Sequence, residues 1–172
     1  MRIRSARRRR GAILLLFGFS TIFLFGGCEN FRNLFGDKNA TADVKQAIEF
    51  VTVDQGYYSG NNTAGGYVVT DNLLWQNLWQ IHTANLLPPP TAPAIDFARD
   101  MVIGVFMGQK PTGGYTAAIA RVYLADTDDI VVNYRESYPL PGMAVTQALT
   151  APYHIIKFKL YPHKGIVFKN IN

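Results

Sequence analysis

The chain has 172 residues, of which 48% are hydrophobic and 13% aromatic, with 17 basic and 12 acidic side chains and a formal net charge of +5. Six of the basic residues and none of the acidic ones lie in residues 1–27, so the rest of the chain carries a net charge of −1. The charge therefore gives no support for nucleic-acid binding, which needs a basic face on the folded domain, and the single cysteine excludes a disulfide bond within one chain.

The N-terminus has the pattern of a bacterial export signal. Six arginines precede an apolar run from residue 12 to residue 25, which is shorter than the roughly 20 residues of a membrane span. The run ends in Gly26-Gly27-Cys28, which resembles a lipobox, where cleavage before the cysteine is followed by acylation of its thiol. We predict a lipoprotein signal peptide at 1–27 and lipidation of Cys28. An ordinary secretory signal with a coincidental cysteine is the alternative, and the paired arginines also permit twin-arginine export.

The chain after the signal is predicted to form a tether and one domain. Residues 28–46 are small and polar, which is typical of a tether, and residues 47–172 have the length of a single domain. Glu29 follows the cysteine in place of the aspartate that retains lipoproteins at the inner membrane of enteric-type bacteria. We therefore expect an envelope lipoprotein on the outer membrane where the cell has one.

Two short β-branched and aromatic runs open the domain. Residues 50–53 and 67–70 are predicted strands, and the turn-forming residues 56–66 lie between them. The pair is interpreted as a hairpin with a long tip.

An amphipathic helix is predicted over residues 72–84, with Asp71 as its N-cap. Trp75 and Trp79 lie one helical turn apart, beside a row formed by Leu74, Leu78 and Ile81. We interpret the tryptophans as core residues that cover a sheet. His82 is interpreted as a packing residue, because no second histidine stands four residues away to share a metal.

The central stretch of the chain consists of two apolar runs around a glycine-rich loop. Residues 101–106 and 115–123 are predicted to be two strands that pair with each other, and the loop between them is Gly108-Gln109-Lys110-Pro111-Thr112-Gly113-Gly114. Proline fixes φ and the glycines permit positive φ, which is typical of turns. Because a hairpin needs only two residues to close, this longer loop favours a contact with a partner. A long hairpin connection without a partner is the alternative.

The remaining pattern consists of strands and irregular chain. Residues 130–135, 153–160 and 165–169 are predicted strands, whereas 139–152 is too rich in proline for a helix. His154 is expected at the start of the apolar face of its strand. Six or seven short strands and one helix predict an α+β domain, with a mostly antiparallel sheet or sandwich against which the helix packs.

No catalytic constellation is found in the sequence. The three histidines, His82, His154 and His163, stand in unrelated contexts, and neither a nucleophile elbow nor a metal-binding spacing occurs. The glycine loop also lacks the lysine-serine or lysine-threonine ending of phosphate-binding loops. We therefore expect a binding module that is not an enzyme and uses no cofactor or metal.

The order of features from Trp75 to Leu160 resembles the C-terminal domain of the protease complex subunit PrcB family. The residues that carry the resemblance are Trp75, Trp79, His82, Ile95-Asp96-Phe97, Gly108 to Tyr115, Glu136, Pro139, Pro141-Gly142 and Thr150 to Tyr153. The resemblance implies a non-catalytic partner that associates with a surface serine protease and helps to stabilise or mature it. A surface protease or another envelope protein is then the expected partner, in addition to the lipid bilayer reached through Cys28.

The same loop also resembles the Pro-Thr-Thr-Gly-aromatic loop of chagasin-like cysteine-protease inhibitors. Gly113 replaces the second threonine of that motif, and Pro152-Tyr153 resembles the inhibitors' Arg-Pro-Trp loop only loosely. Inhibition of a protease is thus the alternative function, and a structural envelope protein is a further one. The predicted partner-binding loop comprises Gly108, Lys110, Pro111, Thr112, Gly113, Gly114 and Tyr115.

Overall fold

The computed structural model describes residues 44–172, which form eight strands and one helix. In chain order the elements are β1 (Val44–Ile48), β2 (Phe50–Gly56), β3 (Ala64–Val69), α1 (Asn72–His82), β4 (Asp100–Met107), β5 (Thr116–Ala125), β6 (Ile130–Ser137), β7 (Tyr153–Lys159) and β8 (Ile166–Asn170). No helix among these residues is long and apolar enough to span a membrane.

The strands form two four-stranded sheets with the orders β1-β5-β6-β8 and β2-β7-β4-β3. Every pairing is antiparallel except β6 with β8. The predicted α+β class with a sandwich of sheets is confirmed, and β1 is an eighth strand beyond the six or seven expected.

The main core lies between the two sheets. It consists of side chains from β4 and β7 of one sheet facing side chains from β5 and β6 of the other, among them Ile103, Ile156, Val122 and Val132. These residues are 0–1% exposed. Successive side chains of a strand point to opposite faces of its sheet. Burial of the inward-pointing side chains against the second sheet stabilises the sandwich.

A second core lies between α1 and the outer face of the sheet that contains β4 and β7. The Asp71 side chain accepts the N–H of Leu74 and caps the helix, as predicted. Trp75 and Trp79 pack there with residues of β3, β4 and β7, and their indole N–H groups donate to backbone carbonyls of the proline-rich segment after the helix. Their interpretation as core residues is confirmed. Leu74 and Ile81 are exposed, however, so the buried stripe is narrower than predicted.

The predicted hairpin between residues 50–53 and 67–70 is wrong. The two segments lie in β2 and β3, which are opposite edges of one sheet, with β7 and β4 between them. Strands with continuous apolar runs, such as β7 and β4, occupy the centre of a sheet. They therefore separate β2 from β3, and the long glycine-rich connection allows these two strands to lie at opposite edges.

The predicted pairing of residues 101–106 with 115–123 is also wrong. The first segment lies in β4 and the second in β5, and these strands belong to different sheets. Since both strands contribute to the core between the sheets, they face each other across it instead of pairing side by side. The loop between them therefore crosses from one sheet to the other.

The boundary of the predicted tether needs a correction, because residues 44–46 belong to β1. Val44 and Gln46 pair with Ala125 and Leu124 of β5. Backbone hydrogen bonding to β5 places these residues in the sheet although their sequence is polar. The predicted signal peptide, Cys28 and the tether up to residue 43 lie outside the described residues.

His154 connects the two sheets from within the core. Its Nδ1 accepts the backbone N–H of Ile119 at 2.8 Å, so the proton of the neutral ring lies on Nε2, which donates to Thr52 Oγ1 at 2.9 Å. Burial lowers the pKa of His154, which favours this neutral ring. The predicted place of His154 on the apolar face of its strand is confirmed.

Candidate partner-binding surface

The loop Gly108–Tyr115 leaves β4 in a conformation that requires glycine. Gly108 has φ +66°, and a Cβ atom there would lie 2.8 Å from the backbone oxygen of Asn62 and 2.9 Å from the backbone nitrogen of Ala64. Gly108 is buried, unlike the rest of the predicted loop. It therefore directs the chain away from the sheet and does not itself offer a contact surface.

Backbone hydrogen bonds hold the loop against the segment that precedes β7. Lys110 and Thr150 exchange two of them, with N···O distances of 2.7 and 3.0 Å, and Gly113 N–H donates to Thr146 O at 2.8 Å. Thr150 Oγ1 also donates to Thr112 O at 2.7 Å. The loop is thus one side of a short irregular ribbon whose other side is residues 146–150.

Gly114 turns the loop towards β5 in a crowded position. Its φ is +87°, and a Cβ atom there would lie 3.0 Å from Pro139 Cβ and 3.1 Å from Val145 Cγ1. A glycine is therefore needed both for the backbone angle and for the space.

The exposed part of the loop is small and carries one charge. Pro111 and Gly114 are exposed, whereas Lys110, Thr112, Gly113 and Tyr115 are half-buried. Lys110 Nζ lies 5.8 Å from the centre of the Tyr115 ring, within reach of a cation–π interaction. Tyr115 packs partly on the core between the sheets and contacts the Tyr138 ring edge-on at 5.9 Å. All seven predicted residues thus lie in this one loop, and Gly108 is the buried residue at which the loop begins.

A groove of about 240 Å³ lies beside the loop. Its walls are Tyr57 and Tyr58 on one side and Gly113 to Thr116 on the other, with Thr146 and Thr150 at one end. Tyr57 and Tyr58 are 52% and 58% exposed. Both tyrosines lie in the predicted turn-forming segment 56–66, but nothing in the sequence placed them, Thr146 or Thr150 next to the loop.

The tyrosine wall of the groove is held by backbone hydrogen bonds to the same segment that holds the loop. Ala151 N–H donates to Tyr57 O at 2.7 Å, and Ser59 N–H donates to Ala151 O at 3.1 Å. Residues 146–151 therefore position both walls, the loop on one side and Tyr57-Tyr58 on the other.

A polar network next to this wall links the buried side chains of Ser59 and His82 with the partly exposed Asp54. His82 Nε2 donates to Asp54 Oδ2 at 3.0 Å, and the Ser59 hydroxyl contacts His82 Nδ1 at 2.9 Å. This connectivity is similar to that of a hydrolytic triad. Ser59, however, is 3% exposed, and its Oγ already accepts the N–H of Asn61 at 3.0 Å. The network therefore ties the tyrosine wall to the end of α1.

Tyr153 completes the surroundings of His82. The two rings lie 4.3 Å apart in an edge-to-face arrangement. Burial, with the nearby Asp54 carboxylate, raises the pKa of the Tyr153 hydroxyl well above its usual range, so it stays neutral. His82 was predicted as a packing residue, and it is buried as expected, with hydrogen bonds that the sequence did not indicate.

Residues 101–159 match the family model described as PrcB C-terminal. The matched segment runs from β4 to β7 and contains the loop and residues 146–151. It confirms the resemblance predicted from the sequence over these residues, whereas Trp75, Trp79, His82 and Ile95-Asp96-Phe97 lie outside the match. No curated protein and no solved structure matches the chain.

Two glycines with positive φ provide a matched test of the crowding at the loop. Gly114→Ala should cost about 2 kcal/mol or more of unfolding free energy, because the new methyl group meets both an unfavourable φ and two side chains. Gly142, with φ +79°, has open space where a Cβ atom would lie, with nothing within 4 Å, so Gly142→Ala should cost only about 1 kcal/mol. Urea denaturation of both variants measures the difference, and equal costs would contradict the crowded position of Gly114.

Proposed function

We propose that this chain is a non-catalytic envelope lipoprotein that binds a surface serine protease as a subunit of its complex, through the loop Gly108–Tyr115 and the adjoining tyrosine wall. The match to the PrcB C-terminal family supports a protease-associated role, because the matched residues include the whole loop and the segment that holds it.

The observation that carries this proposal is the fixed geometry of the loop. Its backbone is bonded to residues 146–150 at Lys110 and Gly113, and Pro111 restricts it further. A loop that is ordered before binding loses little conformational entropy when a partner docks. Tyrosine, glycine and small polar residues also dominate the binding loops of antibodies, since tyrosine offers a large contact area with few rotatable bonds.

The position of β1 suits a lipid anchor. Val44 pairs with Ala125 at one end of β5, whereas the loop joins β5 at Thr116, its other end. The chain therefore enters the sandwich at the end farthest from the loop. An anchor at Cys28 would attach this far end to the membrane side and leave the loop accessible to a partner.

Lipidation can be tested by metabolic labelling with an alkyne-bearing palmitate analogue. We expect label on the wild-type protein and none on Cys28→Ala, together with movement of the variant from the membrane fraction to the soluble fraction. Equal labelling of both proteins would contradict the anchor and would leave the loop proposal to be judged by itself.

Partner binding can be tested by capture of serine proteases from envelope extract, with detection by a fluorophosphonate probe that labels active serine hydrolases. Lys110→Glu combined with Thr112→Ala should weaken capture about tenfold, or about 1.4 kcal/mol. Unfolding free energy should change by less than about 0.5 kcal/mol, because both changes leave the backbone hydrogen bonds of the loop in place.

Lys159→Glu is the matched control, since Lys159 is exposed at the opposite end of the sandwich. It should leave capture unchanged. Equal capture by the wild type, the loop variant and the control would refute the loop as the binding surface. A captured serine protease that retains its activity supports the subunit role, whereas inhibition of cysteine proteases such as papain by the chain would favour the chagasin-like alternative.

A further inference from the structure

A second groove, of about 220 Å³, is lined by Tyr58 and by Gln109 of the loop. Its lining includes one aromatic side chain, that of Tyr58, and the neutral polar side chains of Asn62, Asn85, Gln109 and Thr150. Tyr58 and Thr150 also line the first groove, so the two grooves meet at these residues. No charged side chain among the described residues lines either of them.

The second groove offers neutral hydrogen-bonding groups. An amide side chain provides donors and an acceptor, whereas the Thr150 hydroxyl already donates to Thr112 O and keeps only its acceptor function. Asn85 Nδ2 donates to the backbone oxygen of Tyr58 at 3.2 Å, which leaves its carboxamide oxygen as an acceptor. Asn62 and Gln109 are held near each other by a backbone hydrogen bond, from Gln109 N–H to Asn62 O at 3.3 Å, and both are exposed.

Tyr58 supplies a fixed aromatic surface where the two grooves meet. The backbones of its neighbours Tyr57 and Ser59 both form hydrogen bonds with the backbone of Ala151, and Tyr58 pairs with Ala151 in a parallel β-bridge. The side chain is 58% exposed although the backbone is held on both sides. A ring in this position can stack on an apolar ligand face while its hydroxyl remains in water.

We propose that the joined grooves bind a neutral oligosaccharide, with Tyr58 stacking on a sugar ring and Asn62, Asn85 and Gln109 hydrogen-bonding its hydroxyl or acetamido groups. A sugar ring combines an apolar C–H face with an edge of donors and acceptors, and this groove offers the complementary pair. A lining without lysine and arginine does not suit a phosphate or carboxylate ligand, which charged donors recognise best.

The test uses the full-length chain in detergent and three probes: chitotetraose, cellotetraose and an uncharged tetrapeptide of alanine and proline. Titration is followed in ¹H–¹⁵N spectra through the side-chain amide signals of asparagine and glutamine. We expect at least one of the two saccharides to bind with a Kd below about 1 mM and to shift the signals of Asn62 and Gln109.

Tyr58→Ala should weaken this saccharide binding at least about tenfold, and Gln109→Glu should weaken it as well. Val51→Ala is the control, because Val51 is 61% exposed on β2 and lines neither groove; it should leave the Kd unchanged. The proposal is overturned if neither saccharide binds up to about 10 mM, if Tyr58→Ala and Val51→Ala have equal effects, or if only the peptide shifts the groove signals. Protease capture by the loop is measured separately, so either proposal can fail without the other.

Discussion

The backbone pairing of residues 146–151 is the interaction on which the candidate surface depends. Through Thr146 and Thr150 this segment holds the glycine loop, and through Ala151 it holds Tyr57 and Ser59. This segment has no proline and lies outside every strand, and it supports both the loop and the tyrosine wall. Its hydrogen bonds pair backbone N–H and C=O groups of the loop and of the tyrosine wall, which a stable loop region requires.

The chain passes from one sheet to the other near Glu49, where β1 ends and β2 begins. Because β1 pairs with β5 only as far as Val122, the part of β5 that precedes Val122 has no strand neighbour on this edge within residues 44–172. Side chains replace the missing strand: Gln55 donates to Ala117 O at 3.2 Å, and His154 accepts the N–H of Ile119. An open edge that would invite another strand is thereby closed.

Local sequence patterns predicted the elements but not their pairing. Alternation and β-branched residues located seven of the eight strands, and Asp71 with Trp75 and Trp79 located the helix and its buried face. Both predicted hairpins were wrong, because an apolar strand carries no local signal for the sheet it joins. The loop was recognised from its glycines and proline, whereas Thr146 and Thr150 were missed, since their contacts with it span more than thirty residues.

We infer that hydrogen bonds to residues 146–150 order the loop before any partner binds. Amide hydrogen exchange of the free protein tests it most directly, at the N–H groups of Lys110, Gly113 and Thr150. We predict that these three amides exchange at least about a hundredfold more slowly than in an unstructured peptide, and that the amide of the exposed turn residue Gly142 exchanges faster than they do. Exchange of all three amides at unstructured-peptide rates would contradict a pre-ordered recognition surface.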